Sequence, residues 1–288
     1  MNGLVIGAGG AGNIHAGLLP KLIDEVNIFD VDGARAAAVA KRHGIAVAPN
    51  AEVPADIAIV AVPAHLHRTV VEEQLALGRI VVVEKPLALR PEDARALAGR
   101  DNLYIAESQC YGGNVPLMRD RIRGGEFGRP VQWRLGAMTT FRPQAWCDDL
   151  AVGGGAFLEG GAHVLTTARV LFGEAVRWQG SVRCFSGGTG PDTGTLLIDY
   201  EDGDAVSLSI GWGTEGCITG ACPPLHSGGA LIGPTSCLSW WHGDNHAAMW
   251  RHLLRCIAGE AEPVATVADA AGAVEDVWRC YEASGVTL

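Results

Sequence analysis

Through the first hundred residues, short runs that are apolar at nearly every position alternate with segments whose apolar residues recur three or four apart. Leu4-Val5-Ile6, Val26-Asn27-Ile28-Phe29, Ala46-Val47, Ile57-Ala58-Ile59-Val60-Ala61-Val62, Ile80-Val81-Val82-Val83 and Leu103-Tyr104-Ile105 read as strands, and the intervening pattern predicts helices over 10–19, 33–43, 66–77 and 91–98. Strands that are apolar on both faces and separated by helices belong to a parallel sheet covered on each side. The stretch 1–112 is therefore predicted to be a doubly wound α/β domain. Beyond it the rhythm changes. A helix over 115–122 and a turn at Gly124-Gly125 precede a strand over 131–135, and Gly153-Gly154-Gly155 opens a helix over 163–171. Alternation of apolar and polar residues follows at 176–185, 195–200 and 205–210, the last two joined by the hairpin signature Glu201-Asp202-Gly203-Asp204. Helices over 247–258 and 267–283 close the pattern. Residues 113–288 thus predict an α+β domain with a large open, mostly antiparallel sheet. Few helical segments follow its strands, so a broad apolar sheet face is expected to be left uncovered and hidden by self-association into a homodimer or homotetramer.

Composition narrows the function. The 288 residues carry 22 Lys+Arg against 32 Asp+Glu, a formal charge of −10 with no basic run, which excludes a phosphate-tracking nucleic-acid surface. The longest unbroken apolar stretch, 57–64, contains Pro63 and is too short to span a bilayer, so no membrane role and a cytoplasmic location are expected. Eight cysteines form no C-x-x-C pair, and His242 and His246, though four apart, lack the adjacent glutamate of a zinc helix, so no metal site is expected. Glycine, at 39 residues, must serve turns and ligand-facing loops.

The candidate chemistry lies at strand ends. Gly7-Ala8-Gly9-Gly10-Ala11-Gly12 is a G-x-G-x-x-G directly between the first strand and a helix, the context of a dinucleotide fingerprint. Gly7 makes the tight turn, Gly9, Gly10 and Ala11 let backbone approach a pyrophosphate at the helix N-terminus, and Gly12 permits close helix–strand packing. Asp30 ends the second strand, where a carboxylate accepts hydrogen bonds from the adenosine ribose and repels a 2′-phosphate. NAD is accordingly expected ahead of NADP. Asn13 and His15 follow on the first helix, where they either reach the cofactor or, for His15, sit on the helix surface. Ala61, Pro63 and His67 leave the fourth strand at the edge where open α/β sheets bind ligands, with His67 read as a cofactor contact or a polar helix cap. Glu84-Lys85-Pro86 follows the next strand at the same edge, where all three are candidate cofactor contacts, and places there a lysine whose pKa desolvation could lower toward working pH. Elsewhere, Trp240, Trp241 and Trp250 read as core or subunit contacts, and the Cys217 to Pro224 segment as a loop that either covers substrate or simply lies on the surface.

The order G-x-G-x-x-G, P-x-x-x-H, E-K-P followed by Leu87, and a later G-G-G with His163 resembles the glucose-fructose oxidoreductase and inositol dehydrogenase (Gfo/Idh/MocA) family over nearly the whole chain. Stretch 70–89 resembles its helix-strand-EKP block, 116–122 its first helix after the domain boundary and 153–173 its active-site helix. The resemblance implies a Rossmann domain, then a domain whose open sheet mediates oligomers, with NAD(P)-dependent hydride transfer at a carbinol or carbonyl carbon of a sugar, cyclitol or related small molecule. It also implies that Lys85 is the catalytic lysine, that the Lys85-Pro86 bond is cis and that His163 is the active-site histidine. Glu159 stands where the family often has aspartate, placed to orient substrate or His163. Where many members carry a Tyr-Arg pair this chain has Tyr111-Gly112-Gly113-Asn114, which makes Tyr111 and Asn114 candidate substrate contacts. Alternatives are an imine or biliverdin-like pigment reductase of the same family and, from another class, a catalytically silent NAD-binding regulator.

Overall fold

The computed structural model describes residues 1–139, 145–212, 226–240 and 245–286. Two six-stranded sheets organise it. In the first, β1 (Asn2–Ile6), β2 (Glu25–Phe29), β3 (Ala46–Val47), β4 (Ile57–Val60), β5 (Ile80–Glu84) and β6 (Leu103–Ala106) run parallel in the order β3-β2-β1-β4-β5-β6. Helices α1 (Gly10–Leu18), α2 (Gly33–His43), α3 (His67–Ala76) and α4 (Pro91–Ala98) make the crossovers. Local chemistry sets their ends: the Asp32 carboxylate caps α2 by accepting from the Ala34 and Arg35 N–H groups, and Gly44, at φ +69°, turns the chain out of it. The strand order reverses direction between β1 and β4, and the loops at that crevice carry the dinucleotide fingerprint.

In the second sheet the order is β12-β11-β7-β10-β9-β8, formed by β7 (Gln132–Thr139), β8 (Ala175–Arg183), β9 (Thr193–Tyr200), β10 (Ala205–Trp212), β11 (His226–Ile232) and β12 (Cys237–Ser239). All neighbours are antiparallel except β7 and β10. Trp133, Leu135, Leu196, Ile198, Val206, Leu208 and Leu231 point inward against α6 (Ala162–Phe172) and α8 (Val267–Ala283), while α5 (Val115–Arg123) packs on α6. The opposite face is uncovered among the described residues, as expected, but it is not apolar. It displays Arg177, Gln179, Ser181, Thr195, Asp199, Ser207, Ser209, Gln132 and Arg134, tied by a Thr195–Ser209 hydrogen bond and an Arg177–Asp199 ion pair, with Leu197, Ala205, Ala230 and Ile232 as apolar members of the same register. Alternation in these strands places mostly hydroxyl and charged residues on the outer register.

One core runs through both halves, because the aliphatic residues on one face of the parallel sheet join the inner face of the second sheet in a single cluster. The other face of the parallel sheet, covered by α1 and α2, is completed by a helix from late in the chain: Met249, Trp250 and Leu253 of α7 (His246–Ile257) belong to one apolar cluster with Val5, Ala16, Leu19, Ile28, Ile59 and Val82. Helices α6 and α8 are pinned by a buried pair, in which the Arg169 guanidinium donates to both Asp276 oxygens at 2.8 and 3.0 Å and the Trp178 indole donates to the same carboxylate. No helix among the described residues is long and apolar enough to cross a membrane, and no cluster of three or more metal-ligating side chains occurs among them.

Candidate active site

The glycine-rich turn is shaped by what its Cβ atoms would meet. Gly7 has φ +104°, and a Cβ there would lie 2.3 Å from the Ala61 carbonyl oxygen; one on Gly12 would lie 1.9 Å from the Gly7 carbonyl oxygen. These two positions are closed by backbone. Gly9 and Gly10, by contrast, face open space, with no atom within 4 Å of a built Cβ. Main chain is therefore laid bare at the N-terminus of α1, where the first N–H groups lack intrahelical partners and favour an anion. Asp30 anchors the rim, accepting from Ala8 N at 2.7 Å and from Asp32 N at 2.8 Å, which leaves each carboxylate oxygen a further lone pair for a ribose hydroxyl. The residues present fit a dinucleotide.

Three side chains converge at the carboxyl edge of β5 and β6. Lys85 Nζ donates to Glu159 Oε1 at 2.8 Å and to the Glu159 carbonyl oxygen at 2.9 Å. Glu159 lies in a π-helical turn, Phe157–Gly161, that leads directly into α6, which places Glu159 on Lys85 and, four residues on, His163 on Glu107. His163 Nδ1 is 2.5 Å from Oε1 of Glu107, the residue after β6. A carboxylate only accepts, so the Nδ1 proton points at Glu107 and Nε2 is left for a ligand. Lys85, Glu159 and His163 keep 16, 28 and 11% of their side chains exposed, whereas Glu107 keeps 1%, so the first three can touch a substrate and Glu107 acts from behind. Glu107 Oε2 is buried with no partner.

The electrostatics correct one expectation. Burial would push the Lys85 ammonium down, toward working pH, but Glu159 in contact and Glu84 and Glu107 nearby outweigh it and hold the pKa above the ordinary lysine value. The carboxylates around it thus favour the charged form of Lys85. Glu84 is itself buried and accepts from His15 Nε2 at 2.7 Å and from the Lys85 main-chain N–H at 3.1 Å. Its carboxyl, which burial alone would raise, is held down at about 2 by the hydrogen bond and electrostatic attraction of His15, then by the Lys85 charge and His163.

Other predicted site residues fall elsewhere. Glu84, expected at the cofactor, supports Lys85 from below. His67 is buried, with Nδ1 and Nε2 each 2.8 Å from a carbonyl oxygen, of Pro86 and Val62 respectively. It therefore ties the loop after β4 to the loop after β5 instead of offering its ring to a ligand; Ala61 packs under Gly7, and Pro63 leads a short turn at Ala64–Leu66. The Lys85-Pro86 bond is cis. Tyr111 turns toward α7, its ring 5.4 Å from that of His252 and its hydroxyl engaged by the Val264 main chain. Asn114 is exposed in a left-handed conformation before α5. Neither makes a described polar contact with Lys85, Glu159 or His163. Asn13 is taken by Arg42 and His43, and His15 is fully buried rather than on the helix surface. The Cys217 to Pro224 segment, Trp241 and His242 lie outside the described residues. Glu107 was the residue missed; its signal was the one that marked Lys85, a charged residue directly past a parallel strand.

Comparison with known proteins agrees with this arrangement. Residues 1–100 match the model of an oxidoreductase family with an NAD-binding Rossmann fold, and residues 115–219 match the GFO/IDH/MocA C-terminal domain. A dTDP-3,4-didehydro-2,6-dideoxy-alpha-D-glucose 3-reductase from Streptomyces violaceoruber is 29% identical over 185 residues, covering 61% of this chain and 53% of that protein. The chain spans about half the length of the curated relatives it matches first. Among solved structures, GenD2 from gentamicin A biosynthesis, in complex with NAD, superposes with a TM-score of 0.84 at 22% identity, covering 99% of this chain and 94% of the other. The WlbA dehydrogenase from Bordetella pertussis, in complex with NADH and UDP-GlcNAcA, gives 0.84 at 18%, covering 99 and 95%. The glycine cradle, the lysine past β5 and the two matched domains together make this chain a member of the Gfo/Idh/MocA oxidoreductase family, with an NAD-binding Rossmann domain.

Proposed function

We propose that the protein is an NAD-dependent dehydrogenase or reductase that acts on a carbinol or carbonyl carbon of a sugar, with nucleotide-linked sugars included. The observation that carries this reading is the convergence of Lys85, Glu159 and His163 at the carboxyl edge that also bears the glycine cradle. Gly7, Gly9, Gly10, Ala11, Gly12 and Asp30 would hold the dinucleotide, and NADP is disfavoured by the Asp30 charge facing a 2′-phosphate. The nicotinamide, when bound, supplies the hydride chemistry. An ammonium has three donors. Two of those on Lys85 are engaged by Glu159, so the third is available to hold the reacting oxygen and stabilise negative charge on it. His163, fixed through Nδ1 by Glu107, takes or returns the hydroxyl proton at Nε2. Sugar substrates are supported by the relatives, among them the dTDP-sugar reductase, a D-apiose dehydrogenase and the WlbA complex with UDP-GlcNAcA. The same reading includes a cytoplasmic homodimer or homotetramer assembled across the uncovered face of the second sheet.

The test is a screen of the protein with NAD and with NADH against free sugars, cyclitols and nucleotide sugars, followed by kinetics on the best substrate. Lys85→Met and His163→Ala should each lower turnover roughly 10²-fold or more, the worth of a positioned acid, base or charge, with NADH affinity retained. Full turnover in Lys85→Met would overturn the assignment.

A further inference from the structure

A line of three buried side chains runs from α7 to the lysine of the site. The Trp250 indole N–H donates to His15 Nδ1 at 2.9 Å, His15 Nε2 meets Glu84 Oε1 at 2.7 Å, and Glu84 Oε2 accepts from the Lys85 main chain. Trp250 and His15 are fully buried and Glu84 nearly so. An indole N–H can only donate, so the His15 nitrogen facing it must present a lone pair. The single ring proton is then on the nitrogen facing Glu84, and a second proton could enter only by displacing the indole. Without that indole, a histidine in contact with a buried carboxylate would be free to become its counter-ion and cancel its charge.

We propose that Trp250 is a positioning residue for Lys85: by keeping His15 a neutral donor, it leaves the full negative charge of Glu84 to Lys85 and fixes the main chain that carries the ammonium. The inference rests on the reading of Lys85 as the catalytic cation. The groups around the line are few. Glu84 is faced by His15 from α1, Lys85 from its own strand end, His67 from α3 and His163 from α6. His15 is faced by Glu84, Trp250 and His246, whose ring centroid lies 6.1 Å away. The same helix also reaches the second arm of the site, since the Asn245 N–H that precedes α7 donates to Ser108 O, one residue beyond Glu107. Helix α7 thus touches both the Lys85 and the His163 supports, from a stretch of chain that lies outside the two matched family domains.

The experiment is nitrogen-15 histidine NMR of the full chain, combined with carbon-13 methylation of the lysines, which number only three: Lys21, Lys41 and Lys85. In the parent protein His15 should show the neutral tautomer protonated at Nε2. Trp250→Phe retains most of the ring volume against Met249 and Leu253 while deleting the donor. In it His15 should acquire a second proton, the Lys85 amine should titrate at lower pH than in the parent, and turnover should fall roughly five- to tenfold, the worth of one hydrogen bond, with NADH affinity unchanged. A parent His15 that is doubly protonated, or protonated at Nδ1, overturns the proposal without any variant. A Trp250→Phe protein that is less stable yet keeps the parental His15 and Lys85 signals overturns it as well, since that is a packing role alone. If Lys85→Met retains turnover, the dehydrogenase assignment falls while the His15 spectrum still decides the line from Trp250 to Glu84.

Discussion

Two glycines in the same turn should fail in opposite ways when each is given one methyl group. A Cβ on Gly9 meets nothing within 4 Å, and its backbone, at φ −73° and ψ −163°, suits any residue. Gly9→Ala should therefore fold normally, with stability changed by less than about 1 kcal/mol, part of it a gain from the stiffer unfolded chain. The methyl would instead occupy the space in which a pyrophosphate approaches the helix. Overpacking of that kind costs about 1–3 kcal/mol, which predicts roughly 5- to 150-fold weaker NADH binding. Gly12→Ala is the reverse. Its Cβ would lie 1.9 Å from the Gly7 carbonyl oxygen and 2.9 Å from its carbon, backbone atoms that cannot rotate away. Restoring ordinary contact requires α1 to move off β1 by about 1.5 Å, and a cost of about 1–3 kcal/mol lowers the melting temperature by roughly 2–12 °C in a chain of this size. NADH fluorescence titration and thermal unfolding, run on both variants and the parent, read the two effects separately. Parental NADH affinity in Gly9→Ala would show that the open side of the turn is not the pyrophosphate site, and parental melting in Gly12→Ala would refute the packing argument.

Three further outcomes follow from the buried charges. Glu107→Gln exchanges a charge-assisted bond to His163 for a neutral one and should slow turnover roughly 5- to 30-fold without weakening NADH binding; unchanged turnover on the substrate found in the screen would remove Glu107 from the site. Glu84, moved from its ordinary 4.5 to about 2 in the fold, stabilises the protein fully above pH 4.5, and that contribution, on the order of 3 kcal/mol, is lost as pH falls toward 2. Urea titrations of the parent and Glu84→Gln should therefore converge on acidification through this window, and a gap that stays constant would contradict it. Gly272→Ala would put a methyl 2.1 Å from the Arg169 guanidinium carbon and push it off Asp276, a broken buried pair worth about 3–5 kcal/mol, visible as a lower denaturant midpoint.

What could be read from residues alone was whatever depended on near neighbours in sequence. The parallel strands, the G-x-G-x-x-G turn and the lysine after β5 each declare themselves within a few residues, and all stand where expected. Burial of polar groups was not legible in this way. His15 sits on a helix whose pattern allowed it to be solvent-facing, and it is interior because groups distant in sequence, Glu84 and a tryptophan 235 residues away, pack against it. The protonation of Lys85 was misjudged for a similar reason: desolvation is a property of the strand end, but the carboxylates that outweigh it come from β5, from beyond β6 and from the π-turn before α6. The outer face of the second sheet shows the opposite limit. Its alternation was plain, yet which set of alternate residues faces outward depends on register, and the hydroxyl-rich set faces outward.

The return of α7 to the first sheet bears on how this protein can be divided. A cut after residue 112 separates the two patterns of the sequence, but the fragment 1–112 would open the apolar cluster that Met249, Trp250 and Leu253 share with Ala16, Val82 and Ala106, and would strip His15 of its donor. The first half is thus discontinuous in sequence, completed by a helix that follows the strands of the second sheet. Any recombinant exchange of substrate domains between relatives must carry α7 with the first half, and a fragment built on the sequence boundary alone should be prone to aggregate rather than bind NAD.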